Sequence, residues 1–445
     1  MRESPFPLEQ ALGISFYATG TEGIGGRLRE TPGDFAVEEV PAAPWGDSGP
    51  YLIIRLTKEN WEQHRLVKEL ARILGISHRR ISWAGTKDRR AVTTQFISIY
   101  GLEPGELGRI ALPGVMLEVA GKSGHAIALG ELRGNRFRIR IRGCDPEDLA
   151  DRVEEVARAG AAGVSRSGSP NATPPNSDFP NSGFPNYVGI QRFGVIRPVT
   201  HLVGEQILRG DPEGAVLAYL GAAFPGEPVE VRGAREEFRE DRDVKEAIRR
   251  FPVRLTFERT MLHHLDGHPG DYAGALRALP PRLLSMFVSA YQSFLWNTLL
   301  SRRCREGTPL DEPAPGDRLV FPDGKEDRVT DRNLDAAALQ VRRKRALIGL
   351  HVPGSEAVTG PGRNMHEDPA VSLLGELGIS PGDFASASKF VGVAYRGVTR
   401  PVALTTGITS SVEGNDVLLE FFLGPGQYAT TVCREFMKAD PIQMI

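Results

Sequence analysis

At 445 residues, with 40% apolar and 25% charged side chains, the chain is long enough for two or three domains and has the balance of a water-soluble globular protein. Lysine and arginine (54) nearly cancel aspartate and glutamate (56), so a net charge of −2 announces neither a polyanionic partner nor an acidic tail. Cys144, Cys304 and Cys433 are few, odd in number and far apart, which excludes a disulfide scaffold and an all-cysteine metal site and suits a reducing compartment. The opening MRESPFPLEQALGISFYATG has no charged start followed by an apolar run, and no stretch nears 18 apolar residues. Neither a secretory leader nor a membrane span is expected, and the expected setting is the cytoplasm.

The first 150 residues read as strands with one clear helix. FAVEEV (35–40) and YLIIRL (51–56) have strand composition. From Asn60 to Leu74 the apolar Trp61, Leu66, Val67, Leu70, Ile73 and Leu74 recur at helical spacing, with Asn60 as the expected N-cap and Gly75 as terminator. TTQFISIYG (93–101) and GVMLEVAG (114–121) predict strands. HAIALGEL and NRFRIRIR, joined across Arg133-Gly134, predict a hairpin. Its second arm turns Phe137, Ile139 and Ile141 to one face and Arg136, Arg138, Arg140 and Arg142 to the other. A helix is expected over 146–160, then a loop rich in Gly, Pro, Ser and Asn over 161–185. Helices dominate from about 195 to the 390s, in LVGEQILRG, EGAVLAYLGAAF, DVKEAIRRF and PPRLLSMFVSAYQSFLWNTLLSRRCREG. Strands return in FVGVAYRG, RPVALTT and DVLLEFFLG. This order predicts a sheet domain whose two ends fold together around a helical insertion.

Charge is segregated along the chain. His64 to Arg142 holds 15 basic and 6 acidic side chains, a net of +9, so the remainder carries −11. A folded basic face could track a phosphate backbone on a protein that is neutral overall. The arginines of the 136–142 strand, Arg138 and Arg140 among them, are the residues expected to meet RNA. Of the 54 bases 45 are arginine, a bias that GC-rich coding produces as readily as phosphate recognition does.

No phosphate-binding G-x-x-x-x-G-K-[ST] loop is present, and the glycines near Gly23, Gly25 and Gly26 complete no dinucleotide fingerprint. HHLDGH (263–268) has metal-like composition but is expected as a polar turn between helices. In ISWAGTKDRRAVTTQFISIY (81–100), Asp88 is expected in a turn between two strands, behind Lys87 and ahead of Arg89 and Arg90. A carboxylate set among cations stays ionised at neutral pH and can serve as nucleophile or general base. A surface carboxylate in a charged turn, a silent RNA-binding protein and an aspartate-dependent hydrolase remain open on these residues alone. No second carboxylate at informative spacing supports the hydrolase.

GTKDRRAVTTQ closely resembles the G-x-K-D-x-x-A-x-T-x-Q signature of the TruD family of pseudouridine synthases, through Gly85, Lys87, Asp88, Ala91, Thr93 and Gln95. RETPGDFAVEEV resembles its P-x-D-F-x-V-x-E strand through Pro32, Asp34, Phe35, Val37 and Glu39. GNRF (134–137), NYVGIQRFG (186–194), AYQSFLWN (290–297) and GQYATTVCREFMK (426–438) are similar to four further family stretches, in family order. Val188 stands where phenylalanine is usual, and Arg29 where many bacterial members have lysine. Length and insertion size resemble archaeal members.

The resemblance implies an α+β fold: a mixed-sheet, pseudouridine-synthase-like catalytic domain from 1–193 and 391–445, interrupted by a helix-rich α/β insertion over 194–390, with an RNA-binding cleft between them. It implies isomerisation of a tRNA uridine, usually at position thirteen, to pseudouridine. The glycosidic C1′–N1 bond is exchanged for C1′–C5, by attack on C1′ or through a glycal. Because the product is an isomer, no cofactor, metal or nucleotide is expected. Asp88 takes the place of the catalytic aspartate. Phe35, Asn135, Phe137 and Tyr428 are implied around the flipped base, and Lys87 and Arg29 beside the carboxylate. Arg89 and Arg90 join the expected RNA contacts.

Overall fold

The computed structural model describes residues 1–161, 183–356 and 368–444, so the loop expected over 161–185 lies almost wholly outside the described residues. The chain divides into two compact units, Met1–Ala18 with Ser182–Leu404, and Thr19–Asn181 with Thr405–Ile445. These borders differ from the expected ones, because 1–18, 183–193 and 391–404 belong to the helix-rich unit. Side chains of its central helix explain why. Asn297 donates to the Leu12 carbonyl (3.2 Å), Ser301 to the Gly13 carbonyl (2.6 Å) and Trp296 to the Asn186 carbonyl (2.9 Å).

The second unit is built on a nine-stranded sheet. Its strands are β1 (Gly25–Leu28), β2 (Phe35–Pro41), β3 (Tyr51–Glu59), β4 (Ile81–Trp83), β5 (Val92–Tyr100), β6 (Val115–Ser123), β7 (Leu132–Cys144), β8 (Ile408–Glu413) and β9 (Asp416–Leu423). The order is β8-β9-β7-β2-β5-β3-β6, with β1 on β7 and β4 on β5. Only β2 and β5 run parallel. Because β9 pairs with β7, the end of the chain completes the sheet that the beginning starts.

Helix α1 (Gln63–Leu74) lays Leu66, Val67, Leu70, Ala71 and Leu74 against Leu52, Ile54, Leu56, Ile97 and Ile99 of the sheet. Each of the larger aliphatic side chains stabilises the fold by about 1.5–3 kcal/mol on burial. Gly75 ends the helix in the left-handed conformation (φ 69°), as its position suggests. The N-cap is Glu62, whose carboxylate accepts from the His64 and Arg65 N–H groups (2.9 and 2.7 Å). Asn60, the expected cap, is itself left-handed (φ 54°), and its N–H donates to the Ala91 carbonyl.

The hairpin expected at Arg133-Gly134 does not form. Leu132–Cys144 is one thirteen-residue strand held between β2 and β9, long because both neighbours pair with it. HAIALGEL is a tucked loop: Ile127 N–H donates to Ser98 Oγ (2.9 Å), and Gly130 N–H to the Ala84 carbonyl (2.7 Å). Helices α2 (Leu149–Gly160) and α3 (Ala429–Met437) complete the unit.

The first unit surrounds the 25-residue helix Pro281–Arg305, which buries Phe287, Val288, Tyr291, Leu295, Trp296, Leu299 and Leu300. Helices form at Thr200–Leu208, Pro212–Gly221 and Val244–Arg250 as predicted, and also at Val229–Asp241 and Thr256–Gly267. A four-stranded sheet of Glu326–Arg328, Arg318–Val320, Leu347–Val352 and Val398–Pro401 joins them. FVGVAYRG is not a strand: its start closes the helix Pro381–Val391, which left-handed Gly392 terminates, and the strand begins at Val398. HHLDGH is also not a turn. It ends the helix Thr256–Gly267, where His264 and His268, one turn apart, stack at 4.8 Å and His264 Nε2 pairs with Asp271 (2.9 Å).

Candidate active site

Side chains alternate across a strand, so register decides which of them share a face. Across one row of the sheet run Phe137, Val37, Thr93 and Lys58; two residues on, in the same phase, Asn135 opposes Glu39 and Gln95 opposes Leu56. Phe35 lies on the same face, edge-on to Phe137 (6.2 Å between ring centroids), and Phe137 stacks on Phe421 (5.4 Å). One face therefore carries an aromatic corner beside a belt of amide, hydroxyl and charged groups.

The turn between β4 and β5 is fastened to this face by two lysines, its own Lys87 and Lys58 of β3. Lys87 Nζ lies 2.5 Å from Glu39 Oε2, with both side chains buried, and Glu39 Oε1 accepts the Phe96 N–H (3.3 Å). Lys58 donates to the backbone carbonyls of Asp88 (2.9 Å) and Trp61 (2.8 Å). The Asp88 carboxylate remains half-exposed. Its Oδ2 accepts from Arg29 Nη2 at 2.7 Å, and among the described residues Oδ1 makes no hydrogen bond. Arg29 spans two parts of the site, since its guanidinium also lies 4.0 Å from the centre of the Phe35 ring, in cation–π geometry. Its backbone is left-handed (φ 58°), an uncommon conformation for a non-glycine residue and one that aims this side chain.

These anchors bring Asp88, Arg29, Phe35, Phe137 and Asn135 to one side of the sheet. Asn135 is half-buried, with its Oδ1 enclosed and unpartnered. Gln95, with both amide atoms unpartnered, and the Thr93 hydroxyl are enclosed on the same face. Tyr428 is the residue before α3, and burial pushes the thiol of Cys433 on that helix up to about 12 against a smaller opposite pull from Arg29. Lys87 is placed differently from expectation: its ammonium goes to Glu39, so it holds the turn instead of facing the Asp88 carboxylate. Arg89 is exposed beside Asp88, and Arg90 donates to the Glu30 carbonyl (3.2 Å).

Arg138 and Arg140 project from the opposite face of the sheet. Arg138 pairs with Glu420 (3.1 Å), Arg140 with Glu413 (2.8 Å), and Arg142 with Asp34 (2.7 Å) and Asp416 (3.2 Å). A depression of about 510 Å³ lies on that face, lined by Arg55, Arg136, Arg138, Glu38, Glu420 and Phe422 among others. Arg55 there is shared between Glu38 and Glu118. Neighbouring strands thus supply an acid for nearly every arginine of the row, and the row stands apart from Asp88.

Sequence reasoning missed Lys58 and the job of Glu39. A signal for Lys58 was present, because it continues the inward phase of Leu52, Ile54 and Leu56. Burial lowers its pKa to about 8, while the nearby Asp88 charge pulls the other way. Folded Lys58 therefore releases its proton before the unfolded chain does. Between pH 8 and about 10.5 the unfolded chain binds more protons, so stability rises with pH there, relieving a penalty that is full below pH 8. Wild type should accordingly gain on Lys58→Met by chemical denaturation as pH rises from 8 to 10; a constant difference would refute the shift.

The chain matches the family described as tRNA pseudouridine synthase D (TruD) over residues 11–436. The chain belongs to the TruD family. Among the proteins it is similar to, one from Methanococcoides burtonii is 38% identical over 98% of both chains, and one from Halobacterium salinarum is 38% identical over the full length of both. Both carry the name "Probable tRNA pseudouridine synthase D". The crystal structure of the Methanosarcina mazei protein assigned to TruD superposes with a TM-score of 0.79 at 37% identity, covering 99% of this chain and 100% of that one. The α+β fold with a mixed sheet is therefore that of the family.

Set against the TruD signature, the motif stretches divide by task. Those of the sheet unit build the face around Asp88. NYVGIQRFG and AYQSFLWN build the core of the other unit: the Asn297 side chain bonds both the N–H (2.8 Å) and the carbonyl (3.1 Å) of Val188, and Tyr187 Oη meets Ser301 Oγ (2.8 Å). Val188 is buried there, so its departure from phenylalanine is a packing change. Among the described residues no group of three or more His, Cys, Asp or Glu side chains is arranged to hold a metal, and no helix is long and apolar enough to cross a membrane.

Proposed function

We propose that this chain is a tRNA pseudouridine synthase that isomerises a uridine of cytoplasmic tRNA, at position thirteen as is usual in the family, with Asp88 as the nucleophile. The observation that carries this is the half-exposed Asp88 carboxylate, its turn clamped by Lys58 and Lys87, with Oδ2 held by Arg29 over the Phe35 ring and Oδ1 open.

The chemistry follows from that arrangement. A uridine leaves its stack at a cost of a few kcal/mol, and aromatic stacking offsets about 1–3 kcal/mol per base. Phe35, Phe137 and Tyr428 are the rings proposed to receive it, with the Asn135 amide reading the uracil edge. As C1′–N1 breaks, positive charge develops on the ribose, and the Asp88 carboxylate meets it as in a retaining glycosidase. The uracil turns, C5 bonds to C1′ as the bond from Asp88 to C1′ breaks and frees the carboxylate, C5 loses its proton and N1 gains one. Atoms balance without oxidant, reductant or leaving group. Arg29 aims the carboxylate, and Lys87 acts through Glu39 as a positioning residue.

The test is direct. The protein is incubated with an unmodified tRNA pool and pseudouridine is mapped at single-nucleotide resolution. Modification at position thirteen is expected; a pool left without pseudouridine would overturn the reading.

A further inference from the structure

We propose that the outer face of α1 is the track on which the phosphate backbone of the tRNA lies as it approaches Asp88. This inference rests on the reading that the substrate is tRNA, and it relocates the RNA-binding surface away from the arginine row of β7.

The helix is sharply two-sided. At 3.6 residues per turn, Gln63, Leu66, Val67, Leu70, Ala71 and Leu74 fill the buried side, while His64, Arg65, Lys68 and Arg72 fall within an exposed arc of about 100°. Glu69, at the margin, is held by Arg72, and Glu62 is occupied in capping the helix. Arg65 and Lys68 make no ion pair among the described residues. This is the opposite of β7, where cross-strand carboxylates already take Arg138, Arg140 and Arg142. Of two basic surfaces in the +9 segment, the helical one keeps Arg65 and Lys68 without an ion pair among the described residues, whereas in the arginine row of β7 only Arg136 is left so.

The surface also interleaves aromatic rings with cations, the pattern that suits single-stranded nucleic acid. The Arg65 guanidinium lies 5.8 Å from the Trp61 ring centre, and His64 meets the Trp83 ring edge-on at 5.5 Å. Trp61 and Trp83 are only partly buried. Position completes the argument. One ammonium, that of Lys58, ties the Trp61 carbonyl at the start of α1 to the Asp88 carbonyl, and Trp83 leads into the Asp88 turn. From His64 to Arg72, at 1.5 Å per residue, the basic ridge is about 12 Å long, and the helix that bears it begins beside the Asp88 backbone. Because Glu62 satisfies the first N–H groups of the helix, the side chains and not the helix end supply the contacts.

Binding of an unmodified tRNA transcript over a KCl series tests this with R65E/K68E, R65Q/K68Q and R138Q/R140Q. Reversing Arg65 and Lys68 should weaken binding tenfold or more and lower the slope of log K against log salt by about 1.5, two phosphate contacts' worth. Neutralising them should produce a smaller loss in the same direction, and R138Q/R140Q a change under twofold. All the substituted residues are solvent-exposed or paired at the surface, and thermal melts confirm that each variant folds. Wild-type affinity and slope in both α1 variants, or a larger loss in R138Q/R140Q, would overturn the proposal. Wild-type protein that binds tRNA yet forms no pseudouridine would instead fail the activity reading, with the slopes still deciding the α1 surface.

Discussion

Asp88→Asn is expected to lower pseudouridine formation by about three orders of magnitude or more while leaving tRNA affinity within a few-fold of wild type. The amide has the shape of the carboxylate and can still accept a hydrogen bond from Arg29, which lies 2.7 Å from Oδ2. What it loses is the negative charge and the lone pair that, in the mechanism proposed above, meet C1′ as the glycosidic bond breaks. Removing a nucleophile outright can cost about 10⁶ in rate in a well-developed site, so a thousandfold loss is a conservative floor. Affinity should survive because the exposed cations and the aromatic face are untouched. Quantifying pseudouridine in a time course, alongside a binding isotherm, checks both halves. Full activity in this variant would remove Asp88 from the mechanism, and affinity lost in step with activity would mean that the carboxylate mainly organises the surface.

The second large effect concerns the buried anchor of the turn that carries Asp88. Glu39→Ala leaves the Lys87 ammonium, only 8% exposed, without its carboxylate, and leaves the Phe96 N–H without its acceptor. Breaking a buried ion pair from one side costs about 3–5 kcal/mol, because a desolvated charge stays behind. For a unit of this size that corresponds to a fall in melting temperature of roughly 6–20 °C. Pseudouridine formation should fall as well, since the turn carrying Asp88 loses one of its two fastenings. Replacing both partners with apolar residues, in Glu39→Leu/Lys87→Met, should recover most of the melting temperature. A Glu39→Ala protein that melts within 1 °C of wild type would show that Lys87 finds another partner and that the pair does not hold the turn.

Asp88 was legible through the resemblance of Gly85, Lys87, Asp88, Ala91, Thr93 and Gln95 to the TruD signature; by its charged neighbours alone it read equally as a surface carboxylate. Phe35 and Phe137 were legible as strand positions of one phase. Lys87 was misplaced because adjacency in sequence suggested an ion pair with Asp88, whereas successive residues in an extended turn point apart and the lysine reaches 48 positions back to Glu39. The arginines of β7 misled for a related reason. Alternation showed correctly that they share a face, but their partners Glu413, Asp416 and Glu420 lie more than 270 residues away and are brought alongside only by strand pairing. The hairpin at Gly134 failed in the same way, because turn composition is local whereas β7 is held straight by neighbours on both sides.

The near-cancellation of 54 bases and 56 acids had argued against an RNA partner, and the segment count reopened the question without saying where the charge would act. By itself the sequence determined the family and with it the nucleophile candidate, through motifs kept in order along the chain, and the strand phases and the amphipathic α1, which depend on residue type and on spacings within one strand or helix. The tertiary structure alone decided which cations stay available. An ion pair is a matter of a few ångströms between residues that stand anywhere in the chain, and only the register of β7 against β9 and the docking of the Asp88 turn on Glu39 and Lys58 bring those residues within reach.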